Sequence, residues 1–197
     1  MPYPGFNGMQ IIPMPSDPPV PRNVEWQTVD LSGATLNPFT GQQQTQDWQN
    51  ARLEASLLYQ KMTNSQAIAW AAFLHSLRGR VNAFQFGDPL NRGPQNPAAV
   101  APTVSGSGQT GFLLNTVGGS GLMPGDWIQI GYRLYRLTSV NQGQLGIWPN
   151  LRESPANGTP IQIQNTQGLW KLKANDQKFS VKETKLYGFT LEIREAI

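Results

Sequence analysis

A chain of 197 residues can bury a core as one large or two small domains without a metal or a disulfide. Its charged content of 14% lies well under the roughly 25% usual for soluble domains, and Gln, Asn, Gly, Pro, Ser and Thr fill the gap. The absence of cysteine excludes disulfides, thiol nucleophiles, zinc thiolate sites and iron–sulfur clusters, while the net charge of +3 is scattered, without the Lys/Arg run of a nucleic-acid patch. Such a weakly charged polar surface offers little repulsion to close neighbours, which suits a subunit of an assembly, although extracellular β-domains share the composition. No apolar run approaches the roughly 20 residues that span a bilayer, and Met1 to Pro21 lacks the basic flank and apolar stretch of a signal peptide. Synthesis in a reducing cytoplasm is expected, with no membrane insertion.

Residues 1–22 carry Pro2, Pro4, Pro13, Pro15, Pro18, Pro19 and Pro21, a density that opposes helix and central-strand pairing and predicts an extended arm, reaching to a neighbouring subunit or frayed. From Asn23 to Leu31 the alternation of Val24 and Trp26 with Glu25 and Gln27 predicts a half-buried strand. Asn37 to Gly41 is turn chemistry, and Gln42 to Gln46 reads as a polar loop. A second strand is expected from Trp48 to Tyr59, with Ala51, Leu53, Ala55, Leu57 and Tyr59 inward and Arg52 and Glu54 outward.

Thr63-Asn64-Ser65-Gln66 has the form of a capping box, and Ala67, Trp70, Ala71, Phe73, Leu74 and Leu77 repeat at helical spacing until Arg78-Gly79, predicting one helix over about 64–78. Its apolar stripe should cover a sheet built from the preceding strands and Val81 to Phe86. Leu90 to Gly111, rich in Pro, Asn, Ala, Ser and Gly, reads as a linker. Short strands follow at Phe112–Val117, Trp127–Ile130, Arg133–Val140, Gln144–Trp148 and Ile161–Ile163, then Leu169–Leu172, Lys178–Lys182 and Leu186–Ile193, the last group returning to the first domain. The expected fold is mainly β. A β-sandwich or split-barrel domain with one α-helix (23–90 and 168–197) is interrupted by a linker and an inserted small β-barrel or sandwich (91–167).

Little in the sequence predicts chemistry. Gly106-Ser107-Gly108-Gln109-Thr110-Gly111 has the glycine spacing of a dinucleotide fingerprint but precedes a β-like run, so it lacks the helix N-terminus that would hold a pyrophosphate. His75 is the only histidine, which rules out a His–His metal site, and its neighbour Ser76 points about 100° away on a helix, so the two form no nucleophile–base pair. No catalytic residue, cofactor or metal ligand is therefore expected. Trp127, Tyr132, Arg133, Tyr135 and Arg136 form an aromatic and basic set that suits stacking on single-stranded nucleic acid, as in an OB-like module, though core or subunit-interface packing is the commoner use. Trp127, Tyr132, Tyr135 and Trp148 are likewise candidate stacking platforms for carbohydrate.

Several stretches stand in a particular order: Asn37-Pro38-Phe39-Thr40-Gly41, Ala69 to Leu74 with Leu77-Arg78-Gly79-Arg80, Phe86-Gly87-Asp88-Pro89, Gly125 to Gly131, Arg133-Leu134-Tyr135-Arg136, Ile147 to Arg152, Lys173-Ala174-Asn175-Asp176 and Glu195-Ala196. Read in that order, they resemble minor tail proteins of tailed bacteriophages. The likeness covers nearly the whole chain, and its specificity lies in the order of the motifs. It is to the distal tail protein family in particular. The resemblance implies a virion protein forming a ring, commonly a hexamer, between the tail tube and the tip or baseplate hub. It also implies a β-sandwich or split barrel with one helix and an extra β-domain. Partners would be further copies of the chain, the tail tube protein and the hub, with another tail-completion or connector subunit as the alternative identity. Phe39, Gln42, Gln43 and Gln44 of the polar loop and Asp88 and Pro89 of the following turn are the candidate interface residues, because exposed loops on a rigid scaffold usually carry contacts.

Overall fold

The computed structural model describes residues 5–17, 20–48, 50–175, 180–181 and 187–197. Pro2, Pro4, Pro18, Pro19 and most of the expected strand Lys178–Lys182 lie outside them. The protein is mainly β, with one helix among the described residues. In chain order, β1 (Gly5–Phe6) and β2 (Met9–Gln10) form a small hairpin, β3 (Asn23–Val29) leads into β4 (Ser32–Leu36) and β5 (Gln43–Asp47), and β6 (Arg52–Met62) precedes α1 (Asn64–Leu77). There follow β7 (Phe84–Phe86), β8 (Thr103–Val104), β9 (Leu113–Val117), β10 (Trp127–Ile130), β11 (Arg133–Asn141) and β12 (Gln144–Trp148). The chain closes with β13 (Gly168–Leu172), β14 (Ser180–Val181) and β15 (Tyr187–Glu195).

Strands from both ends of the chain build one antiparallel sheet in the order β3-β6-β15-β13-β7, with β14 added to β15. The period of two in β6 places Leu53, Ala55, Leu57 and Tyr59 on the buried face, opposite Phe189, Leu191 and Ile193 of β15. Helix α1 lays Trp70, Phe73, Leu74 and Leu77 into this core, and the Tyr59 and Trp70 rings meet at 4.2 Å between centroids. The helix starts where the sequence predicts. Thr63 Oγ1 accepts from the Gln66 N–H, the Gln66 side chain accepts from the Thr63 N–H, and Arg78 ends the helix at φ 52°.

Strands between β7 and β13 form a second sheet, β10-β11-β12-β9-β8. One face packs on its own cluster of Leu114, Ile128, Tyr135, Leu137, Leu145 and Ile147. The other contributes Trp127 and Leu134 to the core of the first sheet. Trp26 sits at that junction, with its ring centroid 5.6 Å from both Trp127 and Trp170 and 6.0 Å from Phe86. Residues from the N-terminal stretch also join: Met9, Ile11 and Ile12 are buried, and Ile12 donates to the Ala83 carbonyl.

Several expectations need correction. Gln43–Asp47 is strand, paired with Ser32–Leu36, because the turn at Asn37–Gly41 brings the two stretches into register despite their lack of an apolar alternation. The strand expected from Trp48 starts at Arg52 and runs to Met62, and that expected from Val81 shrinks to Phe84–Phe86. Residues expected to be a linker are tied down. Within 90–111, Gln95 bonds to Asp126, Val100 N–H donates to Ser120, and Thr103–Val104 adds β8 to the second sheet. Ile161–Ile163 forms no strand; around it Pro160 and Gln162 make isolated bridges to Thr103 and Gln129. Glu54 lies on the outer face as expected but is only 5% exposed, since Arg52 and Lys173 cover it at 3.0 and 2.8 Å.

Candidate interaction surface

The register of two ladders explains the exposure of Leu36, Phe39 and Trp48. β3 pairs with β6 from Asn23↔Leu58 to Val29↔Arg52, and β4 pairs with β5 from Ser32↔Asp47 to Leu36↔Gln43, so the second ladder lies inside the connection of the first. Together they make one long hairpin whose distal half is a two-stranded sheet by itself. At its tip Asn37 Oδ1 accepts from the Phe39 N–H at 2.9 Å, Gly41 N–H donates to the Asn37 carbonyl, and Gly41 takes φ 67°, a conformation that suits glycine. This local bonding fixes the turn and sends the Phe39 ring into solvent at 95% exposure.

Leu36 is 64% and Trp48 67% exposed on the same hairpin, and Gln42, Gln43 and Gln44 are exposed beside them. Trp48 lies across the hairpin, close enough that a Cβ at Gly33 would come within 3.2 Å of its Nε1. From Leu31 to Gln46 the chain carries no charged side chain. At the base of the hairpin, the Trp148 indole N–H donates to Asp30 at 3.0 Å, which ties this region to the second sheet. Phe39 and the three glutamines cluster at the distal end of the hairpin together with Leu36, while the alternation of the ladder puts Trp48, beside Gly33, on the face opposite Leu36; the sequence singled out neither Leu36 nor Trp48 as a contact residue. For Leu36 the signal was present: a charge-free stretch carrying large apolar side chains.

Asp88 and Pro89 lie elsewhere. Asp88 is 9% exposed and already bonded, accepting from the Leu90 N–H, the Asn91 side chain and the Trp127 indole N–H. It locks a turn against the second sheet instead of offering itself to a partner. The proposed stacking platform also fails to assemble. Trp127 and Tyr135 are buried on opposite faces of the second sheet, Tyr132 packs edge-on to Phe6 at 5.1 Å, and Trp148 is held by Asp30. The remaining face of Trp127 is covered by the Arg136 guanidinium at 4.9 Å. Arg133 is buried too, donating to the Ala196 carbonyl and to Glu153.

Other candidate chemistry stays dispersed. Gly106 N–H donates to Asn157 at 2.8 Å in a loop followed by β9, so the glycine motif meets no helix N-terminus. His75 is exposed on α1, and the Ser76 hydroxyl donates back to the Ala72 carbonyl. Among the described residues no group of three or more His, Cys, Asp or Glu could hold a metal ion, and no helix is long and apolar enough to cross a membrane. No protein-family model matches the chain, and no curated protein matches it.

Proposed function

We propose that the chain is a structural virion subunit that forms a ring at the distal end of a bacteriophage tail, joining the tail tube to the tip or baseplate hub. The β4–β5 hairpin carries this reading. It presents Leu36 and Phe39 to solvent on a charge-free stretch and Trp48 just beyond it, and an isolated two-stranded hairpin is marginally stable in water. A neighbouring subunit would cover it. In a head-to-tail ring the hairpin of one copy meets a different surface of the next, and identical contacts close about the symmetry axis. The low charge of the chain and the order of its tail-protein motifs support the same reading. The role is mechanical: buried aromatic packing makes the subunit rigid and the hairpin makes contact, with no catalytic step or cofactor.

Light scattering and negative-stain imaging of the purified protein across concentrations test this. A closed ring with a central hole, hexameric on the family resemblance, is expected. A monomer at every concentration overturns self-assembly, and an open filament overturns closure.

A further inference from the structure

The N-terminal stretch pairs with Ala83, the residue just before β7, and goes no further along that outer edge. Ile12 N–H donates to the Ala83 carbonyl at 2.8 Å and Ala83 N–H donates to the Gln10 carbonyl at 3.0 Å, so both main-chain groups of Ala83 face that stretch. Because main-chain direction alternates along a strand, Gln85 turns its N–H and C=O to the same side. The inner edge agrees: Leu169, opposite Gln85 in β13, donates to Tyr132 and accepts from Ala196, and spends neither group on β7. Among the described residues no backbone group answers Gln85 on its outer side. The N-terminal stretch departs through Pro13 and Pro15, which have no N–H to give.

A groove of about 500 Å³ opens where it departs, between Ile12–Pro15 on one side and Phe86–Pro89 with Asn165–Gln167 on the other. Its walls offer apolar surface from Met14 and Phe86. Its two charged residues differ. Asp88 is occupied by the three donors described above, whereas Arg92 is exposed and its guanidinium has no ion pair among the described residues. A free strand edge pairs with extended backbone, an apolar wall takes its inward side chains, and an unengaged guanidinium takes a carboxylate.

We propose that this groove docks an extended, acidic segment of a partner protein, which adds to the β7 edge through Gln85 and places a carboxylate on Arg92. The site is distinct from the β4–β5 hairpin and does not depend on the ring reading. Selection of displayed random octapeptides on the immobilised full chain, counter-selected on Arg92→Glu, tests it. Enriched peptides should combine Asp or Glu with β-branched or apolar residues. When synthesised, they should slow hydrogen exchange at the Gln85 amide and bind Arg92→Glu about tenfold more weakly or worse. Gln85→Pro removes the edge donor without touching the β13 ladder and should abolish binding, with circular dichroism checking the fold of both variants. Absence of enrichment over Arg92→Glu, binding indifferent to that substitution, or a Gln85 amide as protected as that of Ala83 in the free protein each overturns the proposal.

Discussion

The β3–β6 and β4–β5 ladders belong to one long hairpin yet live in different environments. On the proximal half, β6 lies between β3 and β15, and each inward side chain from Leu53 to Tyr59 is at most 5% exposed. On the distal half neither strand has a second neighbour among the described residues, and Leu36 and Phe39 stand in water. Both halves satisfy their backbone by the same cross-strand bonds, so hydrogen bonding does not separate them. Burial does. At about 25 cal/mol per Å² of apolar surface removed from water, the proximal half stabilises the fold while the distal half contributes little until another surface covers it. The difference separates residues that hold the fold together from residues free to meet another surface.

Trp170 gives the sharpest test of the proximal side. It is 1% exposed, touches Trp26 and donates its indole N–H to the Phe86 carbonyl at 2.8 Å, so it fastens β13 to β7 beneath the second sheet. Trp170→Ala is expected to lower unfolding stability by about 4 kcal/mol, through lost burial, a residual cavity and an orphaned carbonyl. A fall in the midpoint of urea unfolding checks it; a loss under 1 kcal/mol would mean that the junction between the sheets carries little of the fold.

Next in size is the ion pair between Arg152 and Glu195, whose side chains are 8% and 6% exposed and meet at 2.9 Å. Arg152 also donates to the Ala51 carbonyl at the entry to β6, so one guanidinium links the inserted region, the last strand and the long hairpin. Glu195→Ala leaves that cation buried with only the carbonyl for company and should cost about 3 kcal/mol. Denaturation of the double variant Glu195→Ala/Arg152→Met checks the cause, because removing both charges should recover part of the loss.

Glu54 provides a smaller, pH-dependent effect. Burial alone raises its carboxyl pKa, but hydrogen bonds from Lys173 and Arg52, with their positive charges, outweigh it and leave the group below its usual 4.5. A carboxyl depressed on folding stabilises fully above its unfolded value, and the benefit fades as pH falls from about 4.5 through the folded value. Since the Lys173 side chain is 42% exposed, solvent screening holds the contribution to about 0.5 kcal/mol. Glu54→Gln should flatten the acid limb of stability against pH by that amount and leave stability near pH 9 lower than in the unaltered chain.

How far the sequence disclosed these regions depended on how local their physics is. The capping box at Thr63 and Gln66 spans one helical turn, and the alternation in β6 and β15 records a sheet with one buried face, so both are visible in a short window. β5 is not. Gln43-Gln44-Thr45-Gln46 has no apolar period, and only its ladder to β4 makes it a strand. Asp88 looked like an exposed turn because its donor Trp127 lies 39 residues away in sequence. Trp127 in turn resembled a stacking platform because all four residues of β10 are buried, on two faces packed against different cores, and no alternation distinguishes such a strand from an aromatic surface. Phe39 was legible as exposed because its turn is built from adjacent residues, whereas the exposure of Leu36 and Trp48 follows from how far the hairpin outruns the sheet.

Phe39 has the smallest expected effect on folding and separates the two halves of the hairpin most cleanly. Its ring is 95% exposed, and the tip geometry rests on Asn37 and Gly41, so Phe39→Ser removes no packing and leaves the turn bonds in place. Unfolding stability should stay within about 0.5 kcal/mol of the unaltered chain. If the distal half acts between subunits, the same substitution should shift the mass measured by light scattering toward monomer, because an aromatic anchor at an interface commonly carries about 2 kcal/mol or more of association. An unchanged mass together with unchanged stability would remove Phe39 from the contact and leave Leu36 and Trp48 as the apolar residues through which the hairpin works. Lost stability with unchanged mass would instead place the tip among the residues that hold the subunit itself.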